Sequence, residues 1–221
     1  MKRIPITRIT AWAALSVAVA QLLAATDVSA AGYKLADKTG KSIAEFRDEI
    51  VNIKKEATAA MAALDKITTT AATDPRQAFK EFNAAVPRVD DAAQKAKKRA
   101  EDMKSRGQAY FKEWETEMAT VNNPEIRKLA EERKAKLQAS FDSIRGFMEP
   151  VRDQFNTWLS DMKDLQKYLG NDLTVTGVDA AKELIAKATE EGQAVQKSLD
   201  KVIAELNTIV ATLSPSKVEK K

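Results

Sequence analysis

Between Leu137 and Leu169 the chain places apolar residues at Leu137, Phe141, Ile144, Met148, Val151, Phe155, Trp158, Met162, Leu165 and Leu169, alternately four and three apart. A row with this mean period of about 3.5 residues makes a stripe along one side of an α-helix. A helix with one such stripe needs neighbours with matching stripes. The row therefore predicts an all-α fold, an elongated antiparallel bundle of long helices with coiled-coil-like seams.

The rest of the chain supplies three partners, for four long helices in all. Ser42 with Glu45 reads as a capping box opening the first. Its stripe is Ile43, Phe46, Ile50, Ile53, Ala57, Ala60, Leu64, Ile67 and Ala71, and the weak helix formers Thr68, Thr69 and Thr70 let it fray near Ala72. Asp74-Pro75 reads as a cap and first-turn proline for the second helix. That helix carries Phe79, Phe82, Val86, Val89, Ala93, Ala96, Ala100, Met103, Gly107, Tyr110 and Trp114, and Pro87 predicts a kink or a late start. Asn122-Asn123-Pro124 ends the second helix and caps the third, which runs to about Leu169 with a kink at Pro150 and a stop at Gly170. After a loop from Asn171 to Gly177, Thr176 with Asp179 is positioned to cap the fourth. Its stripe is Val178, Ala181, Ile185, Ala188, Gly192, Val195, Leu199, Val202, Leu206, Ile209 and Leu213, and Pro215 ends it.

Lengths constrain the shape. The second and third helices span roughly 45 residues each, about 70 Å at 1.5 Å per residue, against about 30 and 36 residues for the first and fourth. The second and third form a central hairpin turning at Asn122–Pro124, and the first and fourth join it at the opposite end. The hairpin tip, Met103 to Leu137, is then expected to project beyond the four-helix section by about 15–25 Å.

The two ends differ in character from this body. Residues 1–30 read as a secretory signal: Lys2, Arg3 and Arg8 precede the mostly apolar Ile9–Ala25, and Val28-Ser29-Ala30 places small side chains for cleavage after Ala30 or Ala31. The alternative is an uncleaved anchor, since 17 residues is at the short limit for a span. Residues 31–41 are expected to form a polar tether, 42–213 the bundle, and 214–221 a basic disordered tail. The chain has 36 basic and 32 acidic residues; losing residues 1–30 removes three basic residues and Asp27 and leaves 33 against 31. Lys217, Lys220 and Lys221 against Glu219 account for that remaining excess, so the body is neutral. Nothing in this balance favours a nucleic-acid partner.

Residue types narrow the chemistry. There is no histidine and no cysteine, which removes the imidazole base, the thiolate nucleophile and ordinary zinc or haem ligation. The Glu-x-x-His di-iron site of some bundles is excluded too. Acidic clusters stand at Asp90-Asp91, Glu113/Glu115/Glu117, Glu131-Glu132 and Glu190-Glu191. Adjacent helical residues point about 100° apart, so these read as solvated faces with i,i+4 pairs such as Glu132–Lys136 and Glu183–Lys187. No glycine-rich phosphate loop, Ser-centred elbow or basic-aromatic ladder is present. The expectation is a non-enzyme with no catalytic residue, metal, cofactor or small-molecule substrate.

Binding is the remaining option. The projecting tip carries Tyr110, Phe111, Trp114, Met118, Ile126 and Leu129, with Val121 between them. These side chains either close the hairpin on itself or present an apolar surface to a protein partner or a second copy. A membrane surface is the alternative partner, although stripes this narrow suit seams better than lipid.

Two segments carry a resemblance. RGQAYFKEWETEMATVNNPEIRKLAEER, from Arg106 to Arg133, and FNTWLSDMKDLQKYLGNDLTVTGVDAA, from Phe155 to Ala181, are similar to a bacterial family catalogued as a domain of unknown function, DUF2959. The turn Asn123-Pro124-Glu125-Ile126-Arg127 and the stop Leu169-Gly170-Asn171-Asp172-Leu173-Thr174 are its most particular pieces, and the likeness covers most of the chain after the signal. The resemblance implies a secreted, helical, envelope-located protein without established activity. Members often begin as lipoproteins, which a chain without cysteine cannot do. The function expected from the whole is a periplasmic or cell-envelope scaffold or interaction module, with an apolipoprotein-like or pore-forming lipid binder as the alternative.

Overall fold

A computed structural model describes residues 28–213. Almost all of the secretory segment and the whole basic tail lie outside these residues. The described chain is four helices: α1 Val28–Thr70, α2 Arg76–Ala119, α3 Pro124–Asn171 and α4 Val175–Leu213.

Each helix packs on two others in the cyclic order α1–α2–α3–α4–α1, with α1·α2 the most extensive interface and α2·α3 the least. Cross-helix contacts fix the directions. On α1 and α2, Glu45 pairs with Arg99 and Glu56 with Arg88, each at 2.8 Å. Between α1 and α4, Arg47 donates to Asn207 and Lys54 pairs with Asp200. Residue numbers rise on one helix as they fall on the other, so neighbours are antiparallel. The four narrow stripes meet inside this ring. Every stripe residue of α4 is buried, as is the α1 stripe from Ile43 to Ile67. On α3, Phe141, Met148 and Val151 are only half-buried while the remaining seven are buried.

Glycines on three helices receive rings. Trp158 of α3 is 1% exposed, and its indole N–H donates to the Ala188 carbonyl of α4 at 2.9 Å. A methyl on Gly192 would overlap the Met61 sulfur and stand 2.8 Å from Trp158 Nε1. At Gly107 a methyl would stand 2.8 Å from the Phe141 ring, and at Gly170 it would stand 3.3 Å from Phe79. Gly170 therefore serves packing and not termination: α3 continues through it to Asn171, and no glycine among the described residues has a positive φ.

Three other local expectations change. The first helix is already formed at Val28, the first described residue, and does not begin at Ser42, so residues 31–41 are helix and not a tether. Ser42 is buried and donates to Asp102 at 3.1 Å, while Glu45 faces Arg99. A pair that reads as a cap is thus a cross-helix contact. The Arg106 guanidinium, bonded at 2.8 Å, holds the Asp102 carboxyl below its usual range, and Ser42 adds to this. The fourth helix is capped by Thr174, whose Oγ1 accepts from Gly177 N at 3.1 Å, and not by Thr176. Asp172 in turn accepts from the Thr174 hydroxyl at 2.6 Å. Finally, α2 and α3 run unbroken through Pro87 and Pro150, so α2 has no late start. The Asn123 cap is as expected, accepting from Glu125 N and Ile126 N.

Gly192→Ala tests the Trp158 notch. Alanine gains about 1 kcal/mol of helix propensity, but overpacking against a fixed indole costs about 1–3 kcal/mol. We expect a net loss of about 1 kcal/mol in urea unfolding; unchanged or raised stability would mean that Met61 and Trp158 yield without cost.

Candidate functional site

The early start of α1 changes the tip. Gly32 lies against Glu117, since a methyl there would stand 2.8 Å from Glu117 Oε2. α1 thus accompanies α2 almost to its end, and the tip is not a bare two-helix hairpin. At the end of α4, Leu213 lies beside Gly40, and Arg133 of α3 donates to the Thr212 carbonyl at 3.0 Å. The hairpin runs past Leu213, the last described residue of α4, and α1 runs alongside it.

Within the tip the six candidate residues separate. Tyr110 is 5% exposed and joins the core. Its ring meets Phe111 at 5.4 Å and Trp114 edge-on at 5.7 Å, and Phe111 meets Phe141 edge-on at 5.4 Å. Phe111, Trp114 and Met118 are half-buried. Four of the six therefore close the tip on itself at least in part. Ile126 and Leu129 are the two left in water, at 49% and 65% exposed. They lie three residues apart and share one face of α3. Arg127 and Lys128 between them are exposed as well. Across the hairpin, Lys134 pairs with Glu115.

Between α1 and α2 the tip holds a cavity of about 230 Å³, open on one side. Gly32 and Ala36 form its α1 wall; Tyr110, Trp114 and Met118 form the α2 wall with the carboxylates of Glu113 and Glu117. Two polar atoms here are buried without a hydrogen-bond partner, Trp114 Nε1 and Glu117 Oε1. Such atoms are costly to leave unpaired. Sequence reasoning had no access to this cavity, because Gly32 and Ala36 carry little hydropathy signal and lie in a stretch that reads as a polar tether.

Elsewhere two of the acidic clusters contribute ion pairs, one across helices and one within α4. Asp90 faces Lys163 at 3.0 Å, and Lys187 pairs with Glu191 at 3.4 Å and Asp161 at 3.8 Å and not with Glu183. Among the described residues no group of three or more acidic side chains converges as a metal site. None of their helices is long and apolar enough to cross a membrane.

Burial pushes the Tyr110 phenol above its usual value of 10.0, with the nearby Arg133 charge pulling the other way. A raised folded value favours the neutral phenol. The stability it gives is therefore fully present below pH 10.0 and is lost as pH rises through the folded value. Tyr110→Phe should flatten the alkaline fall in urea midpoint and remove the latest-titrating component of tyrosine absorbance; an unchanged titration would place Tyr110 in water.

The family described as "Protein of unknown function (DUF2959)" matches residues 27–213, and the chain belongs to that family. No curated protein and no solved structure matches it.

Proposed function

We propose that this DUF2959 member is a non-enzymatic bundle of the cell envelope, periplasmic or secreted, that works through protein contacts as a scaffold or spacer. The observation that carries the reading is the far end of α3. Ile126 and Leu129 stand exposed on one face beside Arg127 and Lys128, at the end of a rod whose other stripes are turned inward. Aliphatic side chains held in water on a rigid element suit a partner's apolar surface, and the flanking cations suit an acidic rim. The basic start, the apolar run Ile9–Ala25 and Val28-Ser29-Ala30 support export. The absence of histidine and cysteine argues against most enzymatic chemistry.

Lipid is the second reading and rests on the same four side chains, since aliphatic residues flanked by cations also suit a bilayer surface. A photoreactive residue in place of Leu129, with a control at the exposed Glu190, separates the two in cells. The expected result is a discrete protein adduct at 129 that is absent at 190 and lost on Ile126→Asp. Cosedimentation with anionic vesicles at low salt, lost on the same substitution, would select lipid instead. Equal adduct patterns at both positions would remove the tip as the functional surface.

A further inference from the structure

The tip cavity sets an acidic and aromatic wall against a nearly bare one. On α2 two rows interleave. Tyr110, Trp114 and Met118 stand four apart, and Glu113 and Glu117 stand four apart beside them, so all of them share the cavity side of the helix. Across from them the described α1 wall is Gly32 and Ala36. At Gly32 the Glu117 carboxylate lies against α1 itself, with Oε2 2.8 Å from the place a methyl would occupy.

Charge on the acidic wall is unbalanced. Glu113 and Glu117 are like charges one turn apart, half-buried, and neither has an ion pair among the described residues. Half-buried carboxylates elsewhere are answered: Glu56 by Arg88, Asp90 by Lys163 and Asp102 by Arg106. Glu117 Oε1 is buried outright and has no hydrogen-bond partner. Like charges at this spacing repel, and a buried carboxylate oxygen without a donor is costly. Among the described residues no lysine or arginine lines the cavity. Arg133, whose charge reaches Tyr110, is committed to the Thr212 carbonyl of α4. The wall lacks a cation. A hard metal ion takes a shell of six or more oxygens, whereas these two carboxylates share their wall with an indole, a phenol ring and a thioether. An organic ammonium fits that mixture, since its N–H groups donate to carboxylates and its charge rests on an aromatic face. A volume of about 230 Å³ is below the roughly 300–1,000 Å³ of drug-sized sites, so the ligand is short.

We propose that the tip cavity binds a small primary ammonium compound. Its ammonium group lies between Glu113 and Glu117 and donates to Glu117 Oε1. Its alkyl body lies on Trp114 and Met118, against Gly32 and Ala36. A quaternary ammonium has no N–H to give, leaves Oε1 unanswered and binds more weakly. This inference does not rest on the partner reading, which concerns Ile126 and Leu129, and neither of these lines the cavity.

The test titrates the chain, as isolated from cells, with n-butylamine and follows the Trp114 indole N–H signal by NMR, assigned by its loss in Trp114→Phe. The Trp158 indole, bonded to the Ala188 carbonyl in the core, is the internal control. n-Butanol offers a similar body without the charge, and tetramethylammonium the charge without a donor. The expected result at low salt is a saturable shift of the Trp114 signal with n-butylamine, an unmoved Trp158 signal, and binding of both control compounds weaker by about tenfold or more, the equivalent of one charge-assisted hydrogen bond. Glu117→Gln should weaken n-butylamine binding by a similar factor. Ala36→Leu, which fills the cavity and leaves the charges alone, should abolish it, and Glu190→Gln on the exposed face of α4 should not change it. Urea midpoints show that each variant is folded. No saturable shift, a shift matched by n-butanol or tetramethylammonium, or equal binding by the unaltered and Glu117→Gln chains would overturn the proposal.

Discussion

Everything in this bundle depends on the narrowness of its apolar stripes. A helix that is apolar over one narrow stripe can satisfy it only by facing a common axis with its neighbours, which is why the contacts run around a ring. Narrow stripes also leave little lateral play, and register must be set by shape. Around α3 that is done by rings seated on glycines: Trp158 over Gly192, Phe141 over Gly107 and Phe79 over Gly170. A ring against bare backbone cannot slide a turn without meeting a side chain. Along α1 the shape is smoother, with Ala57 and Ala60 on the seam. There, charged pairs such as Glu56–Arg88 and Lys54–Asp200 mark the register from outside, and pairs this exposed are worth about 1 kcal/mol or less each.

The molecule has two unlike ends. At the base, Asp74 accepts from Arg76 N and pairs with its guanidinium. Asp172, Thr174 and Gly177 form a chain of caps, and the Tyr168 hydroxyl donates to the Gly177 carbonyl at 3.1 Å. The donors and acceptors that helix ends leave open are answered within the chain. The tip is the reverse: two aliphatic side chains in water, an indole N–H and a carboxylate oxygen without partners, and a cavity between α1 and α2. Exposed apolar side chains such as Val175 and Leu184 stand away from the tip as well, so what sets the tip apart is the cavity.

Much of the fold was legible in the stripes because burial follows period. All of the α4 row and eight consecutive residues of the α1 row, Ile43 to Ile67, lie in the core. Boundaries were legible only where a cap acts locally. Asn123 was, since a proline follows and its side chain reaches its own helix. Ser42 and Glu45 were not, because the same residue types bond just as well across a seam. Thr174 and Thr176 are equivalent as sequence, and Asp172 is what selects the first. At the tip, Tyr110 and Trp114 lie on the stripe and the structure keeps them there, whereas the exposure of Ile126 and Leu129 follows from their being off it. The cavity was invisible because its α1 wall is made of Gly32 and Ala36, residues that carry no hydropathy signal.

That weak wall sets the order in which the bundle loosens. From Gly32 to Gly40 the α1 seam holds glycine, alanine, a half-buried Leu35 and Thr39, whose buried hydroxyl has no hydrogen-bond partner. From Ile43 onward it holds Ile43, Phe46 and Ile50, all fully buried. Each of those large side chains gains about 1.5–3 kcal/mol from burial, and the upstream residues gain far less. Opening of α1 over Gly32 to Gly40 therefore costs little compared with any opening that reaches Ile43. The most easily opened part of the described bundle is thus the wall of the tip cavity, while the core below is keyed by its rings. Whatever occupies that cavity acts on the cheapest motion the fold possesses, and it does so without disturbing the rest of the bundle.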